Sequence, residues 1–258
     1  MLTFYSVVKG FVGNTTYLQR NAIRSWKKAV PDCEIILFGD DEPNAQQEAM
    51  DMHLHVLPME RTEHGAPLLP YIVGKANEIA RYDIRCLINA DIILDSRFSQ
   101  AVDVVSMNLD SFLMIAQRHG VEVDGEIDFS DEDWFVWMYQ NRVKPGNLSA
   151  IDFFCYRGDW LKDIPPFGIG RCSWDNWLVH KAATEGVPIV NATMMTMAWH
   201  QDHPKHKIPV EWQENRELLG DWKPTWGSLL EATYILGGNG MLMESGTSRI
   251  MEKTRTDL

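Results

Sequence analysis

Three short stretches of the chain combine residue types that could do chemistry. In Arg85-Cys86-Leu87-Ile88-Asn89-Ala90-Asp91-Ile92-Ile93-Leu94, two apolar runs, too brief for a helix and rich in isoleucine, flank Asn89-Ala90-Asp91. An amide and a carboxylate two residues apart at a strand end share one face of the pleat and can meet one ligand. Asp91 offers hard oxygens suited to Mg2+ or Mn2+, ions usually held by one or two carboxylates together with substrate phosphates. The tripeptide is thus either a metal and diphosphate anchor or a polar turn that closes a core strand.

The second stretch is Trp174-Asp175-Asn176-Trp177-Leu178-Val179-His180-Lys181. Asp175 falls at a helix N-terminus, where free N–H groups and the helix dipole favour a carboxylate. It reads either as an N-cap or as a general base for a hydroxyl nucleophile. Trp174 and Trp177 suit stacking on a sugar and packing in a core equally well. The third stretch, Ala198 to Lys207, holds His200, His203 and His206 without the cysteines or spacing of a closed zinc site. One histidine could complete a site begun at Asp91, or the stretch is a solvated basic loop. Lys205 and Lys207 would there neutralise a departing diphosphate.

The elements that position these residues read as strand, helix, strand, helix, strand. Phe4 to Val8 is a strand followed by Lys9-Gly10-Phe11-Val12-Gly13, whose glycines let backbone approach a ligand. A helix runs from Asn14 or Thr15 to Ala29, with Leu18, Ala22, Ile23 and Trp26 on one face. The strand Glu34 to Phe38 ends in Gly39-Asp40-Asp41, at the edge where open α/β sheets bind ligands. A helix from Ala45 to Met52, a strand at His55 to Leu57, a polar loop from Glu60 to Ala66 expected to be mobile, and a helix from Pro70 to Arg81 carrying Lys75 lead to the strand of Asp91. Further strands are expected at Phe112 to Gln117, Ile151 to Tyr156 and Val187 to Val190, and a helix at Asp175 to Glu185. Glu126 to Tyr139 reads as irregular, acidic and aromatic, and Glu126 to Trp137 is expected to help form an acceptor side; a turn is expected at Lys144-Pro145-Gly146. This order predicts an α/β fold with a mostly parallel central sheet flanked by helices and a less regular second half.

Bulk properties narrow the function classes. The 258 residues are 45% hydrophobic and 23% charged, enough for a core. A net charge of -12 argues against nonspecific nucleic-acid binding, which needs a basic footprint. Cys33, Cys86, Cys155 and Cys172 show no zinc or redox spacing and are expected as free thiols. No basic leader precedes the first strand and no apolar run approaches the roughly 20 residues of a membrane span, so a cytoplasmic location is expected.

Taken together, Gln19 to Trp26, Phe38-Gly39-Asp40, Asn89-Ala90-Asp91-Ile92, Ile164 to Arg171, Trp174 to Trp177 and His200-Gln201-Asp202-His203 resemble the motifs of nucleotide-diphospho-sugar transferases of the glycosyltransferase A (GT-A) fold. The resemblance reaches to about Thr233. It implies one GT-A-like domain over residues 1–244, with a nucleotide-binding half (1–118) and an acceptor half (119–244), then a polar tail over 245–258. It implies sugar transfer from a nucleoside-diphosphate sugar to a hydroxyl of a glycan, lipid-linked sugar or small molecule. Asp40 would bind the base or ribose; Asn89 and Asp91 the ribose and diphosphate; Asp91 and His200 an ion of Mn2+ or Mg2+. Lys9, Lys75, Arg171 and Lys207 would complete the donor site. Asp175 would deprotonate the acceptor in an inverting reaction, or only orient it in a retaining one. Asn89 stands where the family's DxD motif has its first acid, which lowers the ligand charge. That departure leaves a non-catalytic nucleotide-sugar binding module, or a subunit of a glycan-assembly complex, as the alternative. A nucleotidyltransferase would need a glycine-rich basic loop after the first strand, of which residues 9–14 are a poor version.

Overall fold

The computed structural model describes residues 1–203, 211–221 and 227–246, with residues 211–213 described in their backbone only. The chain begins with β1 (Thr3–Val7), α1 (Asn14–Ala29), β2 (Glu34–Phe38), α2 (Ala45–Asp51), β3 (Val56–Leu57), α3 (Leu69–Ile79), β4 (Arg85–Ile88) and β5 (Ile92–Leu94). It continues through α4 (Arg97–Asn108), β6 (Phe112–Ile115), β7 (Arg118–Val121), α5 (Trp134–Gln140), β8 (Arg142–Pro145), β9 (Phe153–Arg157) and α6 (Trp174–Thr184). The last elements are β10 (Ile189–Asn191), β11 (Ala198–Gln201), α7 (Glu211–Leu219), β12 (Tyr234–Leu236) and β13 (Leu242–Glu244).

Nine strands form the central sheet in the order β13-β12-β10-β6-β9-β4-β1-β2-β3, and four form a second sheet in the order β5-β11-β7-β8. In the central sheet β4, β1, β2 and β3 pair in parallel, as do β6, β10 and β12. β9 runs antiparallel between β4 and β6, so its first residues rise at the edge where those two strands end. Alternation along buried strands sends successive side chains to opposite faces, and each face has its own core. Phe4, Cys86 and Phe153 join Ile23, Trp26 and Phe98 on one side; Tyr5, Leu87 and Phe154 join Ile72, Trp174 and Leu178 on the other. α1 and α4 cover the first face, α3 and α6 the second.

Several expectations meet a different chain. The run expected as one strand from Phe112 to Gln117 ends at Ile115, because Gln117 is turned aside by bonds from its N–H to Thr193 Oγ1 (2.9 Å) and from its Nε2 to the Gly146 carbonyl (2.7 Å). The chain then enters the second sheet as β7. Residues 97–108, to which the sequence reading assigns no element, form α4, with Phe98, Ala101, Val102 and Val105 on one buried face. Lys144 and Pro145 belong to edge strand β8, where a missing N–H is tolerated. The loop from Glu60 to Ala66 is tied down by Arg61, which pairs with Asp41 (3.0 Å) and Glu42 (2.7 Å). All four cysteines are free. No described helix is long and apolar enough to cross a membrane. Of the expected polar tail, Ser245 still donates its N–H to the Thr233 carbonyl (2.8 Å), and residues 247–258 lie outside the described ones.

Candidate active site

The turn Asn89-Ala90-Asp91 links the two sheets, since β4 belongs to the central one and β5 to the smaller one. α1 fastens it from behind. Ser25 Oγ accepts the Leu94 N–H (3.0 Å), and the Trp26 indole donates to the Ile92 carbonyl (2.8 Å). Asn21 donates to Gln201 Oε1 (3.0 Å), and Gln201 donates both its backbone N–H and its Nε2 to the Asp91 carbonyl (3.2 Å each). Gln19 closes a two-bond clamp on Lys9, accepting its N–H (2.7 Å) and donating to its carbonyl (3.0 Å). Gln19, Asn21 and Ser25 are buried, so the polar positions of the α1 motif are brackets for the loops at the sheet edge. A buried polar group left without its partner costs about 1–3 kcal/mol, which makes these brackets specific.

Asp91, His200 and His203 present ligand atoms within 4.8 Å of one another. Asp91 Oδ2 lies 3.2 Å from His203 Nε2 and 3.5 Å from His200 Nε2. His200 Nδ1 is 3.1 Å from Asp202 Oδ1, the carboxylate–imidazole pairing that fixes a ligating tautomer and leaves Nε2 pointed at Asp91. Asp91 Oδ1 is buried and, among the described residues, has no hydrogen-bond partner. One oxygen and two nitrogens around an orphaned carboxylate oxygen fit a divalent cation. Burial raises the Asp91 carboxyl, but the His203 hydrogen bond and the nearby charges of His200, His203 and Lys9 outweigh it and hold the group below the usual carboxylate range. It is therefore ionised and ready to ligate.

Beside this cluster stands an acidic pair of which sequence reading found one member. Asp152, just before β9, takes both polar groups of Asn89: its carbonyl accepts the Asn89 N–H and its Oδ1 accepts the Asn89 amide, both at 3.0 Å. Arg118 at the start of β7 approaches Asp152 Oδ2 at 3.4 Å. Burial, with Asp91 nearby, raises the Asp152 carboxyl despite Arg118. Asp175, in the first turn of α6, accepts the N–H of Asn176 at 2.9 Å. Burial, with Asp152 adding to it, pushes its carboxyl up to about 7, against Asn176 and Arg118. A half-buried carboxyl poised there is suited to exchange a proton near neutrality. The sequence signal for Asp152 was an acid opening an otherwise apolar strand; Arg118 had none.

The remaining candidates divide. β1, β2 and β4 are adjacent and parallel, so Lys9, Asp40 and Asn89 follow three neighbouring strand ends, roughly 5 Å apart per strand. Among the described residues the Asp40 carboxylate makes no hydrogen bond or ion pair, while its neighbour Asp41 is taken by Arg61. Lys75 lies on α3 and pairs with Glu78 (3.1 Å), with no contact to the cluster. Arg171 sits in the irregular segment after Phe167, which α7 holds through Asn215: it accepts the Gly168 N–H (2.8 Å) and donates to the carbonyls of Gly168 and Cys172. Lys205, His206 and Lys207 lie outside the described residues. Trp174 is buried against Phe154, and the half-buried Trp177 sets its ring edge-on to Phe167. The aromatic segment expected on the acceptor side backs the smaller sheet through Phe135, which meets Trp199 (6.2 Å), a side chain pointing away from the face presented by its neighbour His200, and it leaves Val136, Trp137 and Tyr139 exposed.

No protein-family profile matches the chain, and no curated protein sequence does. Among solved structures, Staphylococcus aureus TarS 1-349 in complex with UDP-GlcNAc superposes with a TM-score of 0.50 at 13% identity, over 87% of this chain and 68% of that one. The fold is GT-A-like, a mixed α/β architecture with a mostly parallel central sheet flanked by helices, similar to that of TarS. The TarS 1-349 complex with UDP gives 0.49 at 13% identity over 87% and 67% of the two chains, and longer TarS gives 0.48 at 16% over 87% and 41%. The likeness is one of fold. Within that GT-A frame the chain's chemistry rests on its own side chains.

Proposed function

We propose that this chain transfers a sugar from a nucleoside-diphosphate sugar to a hydroxyl acceptor, with residues 1–244 acting as one catalytic unit. The observation that carries the reading is the gathering of Asp91, His200 and His203 with Asp175 and the end of β1 at one edge of the sheet. Asp40 binds the nucleoside, whose sugar edge matches a carboxylate free of other partners. Lys9, held by Gln19, places its charge beside the diphosphate. Asp91, His200 and His203 would hold the cation, and two imidazoles with one carboxylate suit Mn2+ better than Mg2+. When bound, such an ion supplies electrostatic stabilisation to the departing diphosphate.

Asp175 takes the acceptor's proton. As the acceptor oxygen bonds to the anomeric carbon, the bond from that carbon to the phosphate oxygen breaks, and the electron pair leaves with the diphosphate. Attack from the base's side, opposite the leaving group, inverts the anomeric centre. Calorimetry with UDP and UDP-GlcNAc, the ligands of the TarS complexes, with and without Mn2+, followed by a donor-turnover assay, tests the reading. Asp91→Ala is expected to abolish both Mn2+-dependent binding and turnover; a variant with unaltered rates overturns it. The second reading, a nucleotide-sugar binding module without catalysis, is favoured by Asn89 standing in place of an acid with its amide bound to Asp152. Binding without any turnover would select it.

A further inference from the structure

We infer that Arg118, oriented by the buried carboxylate of Asp152, contacts the sugar being transferred; this rests on the reading of the site given above. A transferred sugar is bonded to a phosphate oxygen at its anomeric carbon, and the acceptor's base approaches that carbon. Its ring must therefore lie between the groups that hold the diphosphate and the group that takes the proton. Here those are Asp91 with the two histidines at one end and Asp175 at the other. Between them lies Asp152, bonded to Asn89 two residues before Asp91 and felt by Asp175, and against Asp152 stands Arg118, Nη1 3.4 Å from Oδ2, itself felt by Asp175.

Asp152 is 7% exposed, and its Oδ1 is committed to Asn89, so it faces Arg118 rather than a ligand. Arg118 is different. Its backbone is fixed, with its N–H donating to the Ala150 carbonyl (3.0 Å) and its carbonyl accepting the Gly146 N–H (2.8 Å). Its side chain is 27% exposed, and Nη1 stands 3.4 Å from Asp152 Oδ2, too far for a good charge-assisted bond. Asp152 Oδ2 is buried without a hydrogen-bond partner, and among the described residues the guanidinium donates no hydrogen bond. A rigid fork of five donors, held by one buried carboxylate and otherwise uncommitted, matches the hydroxyl and carbonyl oxygens of a sugar ring. An arginine present only to neutralise Asp152 would close on it, whereas this one stands off at 3.4 Å.

The test compares wild type with Arg118→Ala, Arg118→Lys and Asp152→Asn, using UDP and UDP-GlcNAc with Mn2+ in calorimetry and donor turnover. Arg118→Ala is expected to keep UDP affinity within about twofold while lowering UDP-GlcNAc affinity and kcat/KM about tenfold, the size of a lost charge-assisted bond. Arg118→Lys restores part of the loss. Asp152→Asn lowers UDP-GlcNAc affinity by a smaller factor, and combining it with Arg118→Ala adds nothing further, which a purely structural role would not produce. Equal losses for UDP and UDP-GlcNAc would assign Arg118 to the diphosphate, and no loss for either would leave it a structural partner; each overturns the inference. If Arg118→Ala does not fold, the Arg118→Lys comparison of the two ligands decides in the same way. A wild type that binds neither ligand overturns the proposed function itself, whereas a wild type that binds both beside an unaffected Arg118→Ala overturns the inference alone.

Discussion

The indole nitrogen of Trp26 donates to the carbonyl oxygen of Ile92 at 2.8 Å, binding the core helix to the strand that follows Asp91. Trp26 is fully buried, its ring stacked on Phe4 at 5.6 Å. Trp26→Phe keeps an aromatic ring but leaves the Ile92 carbonyl without that donor. The expected cost is about 1–3 kcal/mol, a fall of several degrees in Tm. Because the same bond fixes the turn carrying Asp91, Mn2+-dependent nucleotide binding should weaken in parallel. Thermal unfolding and calorimetry check both, and an unchanged Tm would count against the bracket.

Asp202 lies outside the candidate ligand set but orients one of its members, with Oδ1 3.1 Å from His200 Nδ1. Asp202→Asn can pair with that ring only weakly and no longer selects its tautomer. Mn2+ affinity is expected to fall by roughly 10–100-fold, the usual effect of losing such a partner. Titration of Mn2+ by paramagnetic resonance reads this directly, without any turnover. Unaltered Mn2+ affinity would remove Asp202 from the site.

The raised carboxyl of Asp175 has consequences of opposite sign for turnover and for stability. As a base it must be ionised, so turnover should climb as pH rises through about 7 and level off above. Asp175→Asn should lose roughly 10²–10⁴-fold in turnover and leave UDP affinity nearly intact. An equal loss of both would mark it as a helix cap. For stability, the folded state retains the proton up to about 7 while the unfolded chain releases it near the ordinary carboxylate value of 3.8. Folding is therefore penalised progressively across that window, and the penalty is complete above it. At pH 8 the Asp175→Asn protein should be more stable than wild type, on the order of 1–3 kcal/mol for a half-buried group, and the difference should vanish below pH 4. Denaturant melts at the two pH values decide it.

Local pattern made much of this legible. β1, α1, β2, α2 and α6 announce themselves by period and by glycine or proline punctuation, and the expected helix boundaries fall within a residue or two of those observed. The strand end at Asp91 and the histidines in and just after β11 were readable as chemistry because their residue types are costly elsewhere. What stayed hidden was non-local. The four-stranded sheet joins β5, read from its isoleucines, to β7, β8 and β11, short runs up to about 100 residues further on that carry no period long enough to read. Asp152 enters the site only because β9 runs antiparallel between two parallel strands, a fact of topology that no window of sequence contains. The tryptophans of α6 could be read two ways; Trp174 is buried against Phe154, while Trp177 is half-buried beside Phe167.

Gly120, in the middle of β7, shows how closely packing and ligand geometry are joined. A Cβ there would meet the Val143 Cγ2 methyl of β8 and stand 2.7 Å from Asp202 Oδ2, the carboxylate that orients His200. Glycine inside a strand is usually a weakness, tolerated where another group approaches the backbone closely. Gly120→Ala should therefore destabilise the protein by about 1–3 kcal/mol through overpacking, and should lower Mn2+ affinity by displacing Asp202. The two effects separate in a double variant. Adding Val143→Ala relieves the methyl contact and should return most of the stability, whereas the contact with Asp202 persists and Mn2+ affinity should stay low. Recovery of both together would mean that the glycine serves packing alone, and that Asp202 does not need its space to hold His200.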